Sequence, residues 1–453
     1  MSIKACRTIA IMLLSFIGVA MDQYAHADTN VGGNITENTT WTVAGSPYIV
    51  TNTVQVLEGV KLTIEPGVEI RFDPNADLNV GGELNAIGTQ GKMIKFTNHQ
   101  SNVEYAFLRF TSTSVAAEFD TELNYISGCI IKLCKFEITI RFLSEIPLYI
   151  DENELKGTRY TTITLDGSDG SVVKNNTFLA SDHKSSVAID VESNSFIQNN
   201  TIKYYNSAIL ASNGNIIKNN LIEDDHGAVT LGKNNIFEYN TITKCGYELD
   251  PGSIIVFRGT NTVFRHNTVV GNVVSRNSYP GDFWAIKISG NTSGTIIEYN
   301  DIFNNNCKYE IKNQSENNII AKHNFWGTTD TAAIAQKIYD YYDYIYFGKV
   351  IYEPIATQPY FITTIVYVDP AGTCGGNTPC YPTIQTALDT AETGTIIRIF
   401  QGSYDEDISF SSSTNLTLSG GWDSNFTSQS GTTSINSMTI SNGAVTVDNL
   451  VIQ

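Results

Sequence analysis

The densest set of groups able to move a proton or hold a cation is the run Glu223-Asp224-Asp225-His226-Gly227. Two carboxylates beside an imidazole can supply a general acid, a general base or oxygen ligands for Ca²⁺. Asp224, Asp225 and His226 are therefore the candidate catalytic residues, with His226 as the base and either aspartate as acid or Ca²⁺ ligand. The same five residues also suit a solvated turn between strands. Cations one or two repeats away, at Lys203, Lys244, Arg258 and Arg265, can complete a site of this kind. Arg258, alone after the strand-like Ile254-Ile-Val-Phe, is a candidate binding residue, and so are Arg276, Tyr279 and Trp284, which share a long insertion with Asp282. Binding residues concentrate on insertions that wall a groove. The run Tyr339, Tyr341, Tyr342, Tyr344, Tyr346 and Tyr352 offers flat faces for a sugar ring. Its place near the end of a repeat array points instead to packing on the last repeat.

The elements that must hold these residues repeat one short phrase, an asparagine followed by a varied residue and then an apolar one. The phrase starts at Asn153, Asn176, Asn200, Asn220, Asn240, Asn267, Asn300 and Asn324, at spacings of 23, 24, 20, 20, 27, 33 and 24. Such regularity marks a solenoid in which loops of varied length join fixed strands. Stacked at one corner of successive coils, the asparagine amides can bond to one another and to the turn backbone, so they are expected to be structural.

Residues 34 to 98 alternate in strand fashion between Gly, Pro and Asp punctuation, in strands of three to five residues. Strands so short cannot bury a face alone, and successive turns must stack. Gly59-Val-Lys-Leu-Thr-Ile-Glu-Pro-Gly-Val-Glu-Ile-Arg-Phe, then Gly82-Glu-Leu-Asn-Ala-Ile-Gly-Thr and Ile94-Lys-Phe-Thr, resembles the opening coils of secreted bacterial right-handed parallel β-helix proteins of the pectin lyase-like fold. Asn324-Phe-Trp-Gly-Thr with Gly348-Lys-Val-Ile-Tyr-Glu-Pro is similar to the way such helices close, and the resemblance covers about residues 34 to 356. It implies the fold. It also implies that a site, where there is one, lies on a lateral face of the coils, where acids, a base and often Ca²⁺ act on a glycan. Asp224-x-His226 resembles a motif of mannuronan epimerases, although Gly227 stands where that motif continues with an acid. The adjacent aspartates are similar to those of polygalacturonases, whose separate His and Arg/Lys motifs are not found in order.

After a linker at 357–365, residues 366–453 read as the opening of a second, partial β-helix with its own capping helix. Thr383 is positioned to cap that helix, and Ile384, Ala387, Leu388 and Ala391 share one of its faces. The last strand-like segment, Val445 to Gln453, leaves an apolar β-edge, expected either from truncation or from docking on a protein partner.

Residues 1–27 read as an export signal: Lys4 and Arg7, an apolar run from Ile9 to Met21, and Ala25-His-Ala27 before the cleavage point. No other stretch reaches the roughly 20 apolar residues that span a bilayer. The full chain carries a net charge of −18, which becomes −19 without Lys4, Arg7 and Asp22. That charge excludes nucleic acid as a partner, and a polyanionic glycan would need local cations or a bridging Ca²⁺. Cys374 and Cys380 flank a short flexible loop and are expected to form a disulfide in an exported protein. Cys129, Cys134, Cys245 and Cys307 are expected to be small core residues.

The expectation is thus an all-β, secreted, right-handed parallel β-helix over 28–356. Its expected role is carbohydrate binding or attachment at the cell surface, requiring no cofactor although Ca²⁺ can take part. A polysaccharide lyase, hydrolase or epimerase is the competing class, and a structural adhesin or passenger module the third.

Overall fold

The computed structural model describes residues 28–453 except 101–105, 137–139, 158–160, 166–168, 181–184, 247–252, 273–283, 361–364, 392–394, 413–414, 430 and 443. The export segment and the insertion residues Arg276, Tyr279 and Asp282 lie outside the described residues. Between Thr29 and Ile351 the chain winds through coils of three strands each, and every coil pairs in parallel with the next. This is a parallel β-helix, of the right-handed sense that parallel crossovers take.

One coil shows the plan. Ile216–Lys218 lies on the first face, Leu221–Glu223 on the second and Gly227–Lys233 on the third. Alternation sends the middle residue of each short strand inward. Ile150, Val173, Ile197, Ile217, Phe237, Phe264 and Ile297 therefore fall in register up the first face and are fully buried. Each such side chain contributes about 1.5–3 kcal/mol on leaving water. Phe237 and Phe264 stack at 5.1 Å, nearly coplanar.

The corner between the first and second faces consists of two residues. The first takes a positive φ of 54° to 60°, at Glu152, Asn175, Asn199, Asn219, Tyr239, His266, Tyr299 and His323. The second is the repeated asparagine, turned inward. Its Oδ1 accepts the backbone N–H of the asparagine one coil earlier at 2.8–3.0 Å, from Asn153 through Asn324. Its Nδ2 donates to the Oδ1 of the next asparagine and to a first-face carbonyl of the preceding coil, as Asn220 does to Asn240 and Ile197. A corner that would otherwise bury unmet backbone groups is thereby satisfied. The left-handed conformation favours asparagine in the middle coils, whereas bulky rings occupy it further along. There Tyr239, His266, Tyr299 and His323 stack in series at 5.0, 5.4 and 5.0 Å, which offsets the strain of a bulky residue at positive φ.

Residues 365–452 build a second parallel stack with a separate core that includes Val368, Ile384, Leu388, Ile399 and Leu418. Its helix, Ile384–Thr390, is capped by the Thr383 side chain, which accepts the Thr386 N–H, and it buries Ile384, Ala387 and Leu388. Cys374 and Cys380 are disulfide-bonded with Cα atoms 5.9 Å apart. Cys129, Cys134 and Cys245 are buried, while Cys307 is only partly so. Among the described residues no helix is long and apolar enough to cross a membrane.

Replacing one rung of the ladder should be costly. Asn220→Ala leaves the backbone N–H of Asn200 and one of its two Nδ2 hydrogens without an acceptor, the other staying on the Val173 carbonyl. At about 1–3 kcal/mol for each orphaned buried donor, a loss of at least about 2 kcal/mol is expected in urea unfolding. An equal midpoint for Asn220→Ala and for a change at the exposed Asn219 would contradict the ladder's role.

Candidate functional site

The Asp224 to Gly227 run forms the corner between the second and third faces. Asp224 takes the left-handed conformation, φ 58°, as Tyr204, Lys244, Gly271 and Asn304 do at the matching corners of other coils. The residue after it therefore turns inward, and Asp225 is 0% exposed, in line with Tyr205, Cys245, Asn272 and Asn305 of other coils. Its Oδ1 accepts the backbone N–H of Tyr205, and its Oδ2 is buried without a hydrogen-bond partner. Burial pushes the Asp225 carboxyl well above the usual carboxylate range, with Asp224 and Glu223 adding to the shift. Asp224 and His226 stay half-buried at the outside of the corner, where His226 Nδ1 lies 3.4 Å from Asn206 Oδ1.

The three candidate catalytic residues therefore do not share a face. Acid and base must reach one substrate to act together, and here Asp225 faces the core while its neighbours face solvent. The nearby cations are engaged as well: Lys203 and Lys244 both bind Glu223, from the preceding and following coils. Burial alone would raise the Glu223 carboxyl, but the two lysines hold it below the ordinary range. The first face repeats this pattern, with Lys218 and Arg265 on the nearly buried Glu238.

The third face gathers a different set. Register places Val256, Lys287, Lys312 and Tyr339 in one outward row, with Ser253, Trp284 and Tyr309 in the row beside it. The Lys312 ammonium sits 3.8 Å from the centre of the Trp284 ring and 5.0 Å from that of Tyr339. Lys287 approaches Trp284 at 5.7 Å, and Lys308 approaches Tyr309 at 4.9 Å. Trp284, the insertion residue expected to bind ligand, is 8% exposed, and its Nε1 is buried with no partner among the described residues. The rings continue from Tyr339 to Phe347 at 6.2 Å, then to Tyr344 at 4.8 Å and Tyr346 at 5.3 Å.

The tyrosine run divides in its roles. Tyr352 packs on the core as the terminal position suggested, but Tyr342, Ile345 and Tyr346 are 79%, 70% and 69% exposed. Lys349 lies between Tyr341 and Tyr342, at 4.9 and 5.0 Å. The segment thus carries an open aromatic surface where packing was expected, because its short turns leave too few buried positions for six rings. Arg258 is exposed, with its backbone N–H bonded to Leu231. Lys287, Lys312 and Tyr309 escaped the reading of the sequence, whereas Tyr339 was read there as part of the tyrosine run. The available signal was the repeated Ile-Lys at 286–287 and 311–312. Among the described residues no three His, Cys, Asp or Glu side chains are grouped to hold a metal.

The Asp225 position yields a pH test. In the same column Asn272 uses its Nδ2 to bond Asn305 and the Ile242 carbonyl. A carboxyl with a raised pKa adds no penalty at acid pH, and it costs stability as pH climbs from the unfolded value toward the folded one. Asp225→Asn should therefore match the native chain near pH 4 and exceed it at pH 7 by about 1–3 kcal/mol. Thermal unfolding at both pH values measures this, and a variant less stable at pH 7 would exclude a structural, neutral Asp225.

No family model matches the chain. Over 74 residues, 16% of this chain, it is 36% identical to Protein bark beetle of Drosophila melanogaster, and the match spans 2% of that protein. Among solved structures, that of the PL6 family alginate lyase AlyGC aligns with 91% of this chain and 68% of its own at 15% identity and a TM-score of 0.31. A mutant of the periplasmic alginate epimerase AlgG aligns with 90% of this chain and 76% of its own, at 11% identity and a TM-score of 0.25. What those proteins act on is a property of theirs, and the parallel β-helix described here is read from its own coil pairing.

Proposed function

We propose that this chain is an exported glycan-binding β-helix that seats an extended polysaccharide along the ring and lysine track of its third face and does no chemistry on it. The observation that carries the proposal is Lys312, held between the rings of Trp284 and Tyr339 and continued by Phe347, Tyr344 and Tyr346. Aromatic faces pack against the C–H surfaces of sugar rings, and ammonium groups beside them attract carboxylates. Lys287, Lys308 and Lys312 gather cations on the third face of a strongly acidic chain, and Lys349 lies beside Tyr341 and Tyr342 in the closing segment. An acidic polysaccharide is therefore favoured, with Ca²⁺ as an optional bridge elsewhere on the surface. The enzyme reading needs an acid, a base and a cation free to act on one face, whereas Asp225 is turned inward and the neighbouring Lys203 and Lys244 are both paired with Glu223.

Retention of neutral and uronic-acid polysaccharides on the immobilised mature chain, with Ca²⁺ and with chelator, is the deciding measurement, read together with the chain length of the recovered glycan. Uronic polymers should be retained intact and released by about 0.5 M salt, since exposed charge interactions are screened. Lys312→Gln should weaken retention about threefold to tenfold, the range of a partly desolvated cation beside an aromatic ring. His226→Ala should change neither retention nor chain length. Shortened or epimerised glycan, abolished by His226→Ala, would establish the enzyme instead. The absence of both retention and turnover would leave the adhesin or passenger role.

A further inference from the structure

The second stack carries a cation and ring pair of its own. Tyr367, Arg398, Ser419 and Asp448 share one row of its main sheet. The register shifts after Arg398, so that Phe400 pairs with Trp422, and this brings the Trp422 ring under the Arg398 guanidinium at 4.1 Å. Trp422 is fixed by its Nε1, which donates to Ser419 Oγ at 3.0 Å. Gln429 pins the same corner by donating to Ser419 Oγ, the Gly420 carbonyl and Asp448 Oδ2 at 3.1, 2.9 and 2.8 Å. Phe426 closes edge-on against Tyr367 at 5.1 Å. Every neighbour of the pair is thus held by bonds that do not involve the guanidinium.

Arg398 itself has no carboxylate within ion-pair reach among the described residues, and its Nε is buried without a hydrogen-bond partner. On the first and second faces of the β-helix, Lys61, Lys132, Lys203, Lys218 and Arg265 all find acids. A guanidinium held over an indole keeps its N–H groups in one plane, the arrangement that meets both oxygens of a carboxylate. The half-buried indole beside it offers apolar surface for a sugar ring.

We propose that Arg398 and Trp422 form a second binding site, independent of the third-face track, for a carboxylated sugar unit. The carboxylate bonds in plane to Arg398 and the ring lies against Trp422.

Tryptophan fluorescence is suited to the test, because Trp41, Trp284 and Trp326 are buried and Trp422 is the half-exposed member. The full mature chain is titrated with glucuronate and, separately, with glucose. A saturable change with glucuronate is expected, with glucose at least about tenfold weaker. Arg398→Gln should weaken glucuronate about tenfold or more, and Lys61→Gln, which changes a lysine paired with Glu83 away from both sites, should leave the titration unchanged. Arg398→Lys, which keeps the charge and loses the planar fork, should fall between the native chain and Arg398→Gln, and it decides the matter if Arg398→Gln does not fold. No response to glucuronate, an equal response to glucose, or unaltered binding in Arg398→Lys would overturn the proposal. Loss in Lys312→Gln with retention in Arg398→Gln would assign the signal to the track and overturn it as well.

Discussion

The structure depends on the way a corner of two residues disposes of its backbone polar groups. Each coil turns through a left-handed residue and then sends one side chain inward, where its oxygen accepts the N–H of the coil before it. Those groups are out of reach of water, so each rung must be present for its neighbour to be satisfied. Strand length, the apolar interior and the outward rows follow from that repeat. So does the fate of the acid-rich run, since Asp225 occupies a rung and cannot also serve a surface.

The outward rows show how a chain of high negative charge keeps local order. Cations and acids alternate up the first and second faces, and Glu223 and Glu238 each bind cations from both sides. Pairs of this exposure are individually worth little, but they leave few charges unmet there. Lysines packed against rings therefore stand out, and they collect on the third face and at its closing end.

Much of the fold was legible because its constraint is written at near-constant spacing. Eight asparagines mark one corner, and the ladder they form is the one their spacing implied. The corner at Asp224 and Asp225 was written in the same grammar. It follows Leu-Ile-Glu as Asn219-Asn220 follows Ile-Ile-Lys, and the second member of the doublet goes inside. Reading it as a reactive pair gave weight to residue type and none to position. The track of Trp284, Lys312 and Tyr339 was harder to see. Its members lie 27 to 55 residues apart, and only coil register aligns them. The exposed tyrosines were misjudged for a related reason, since periodicity says which residues can stack but not how many rings a closing segment can cover.

The bonds between coils run along the long axis of the β-helix, whereas the strands run across it. A pull along the axis through the whole body loads every bond of a coil interface together, and a pull on a loose end meets them one coil at a time. The third-face rings lie on the flank, in register across several coils. A polymer seated there, as proposed, would drag on the stack sideways over a shared length rather than peel it from a tip. The body would then act as a stiff cleat, holding a line under tension without coming unwound.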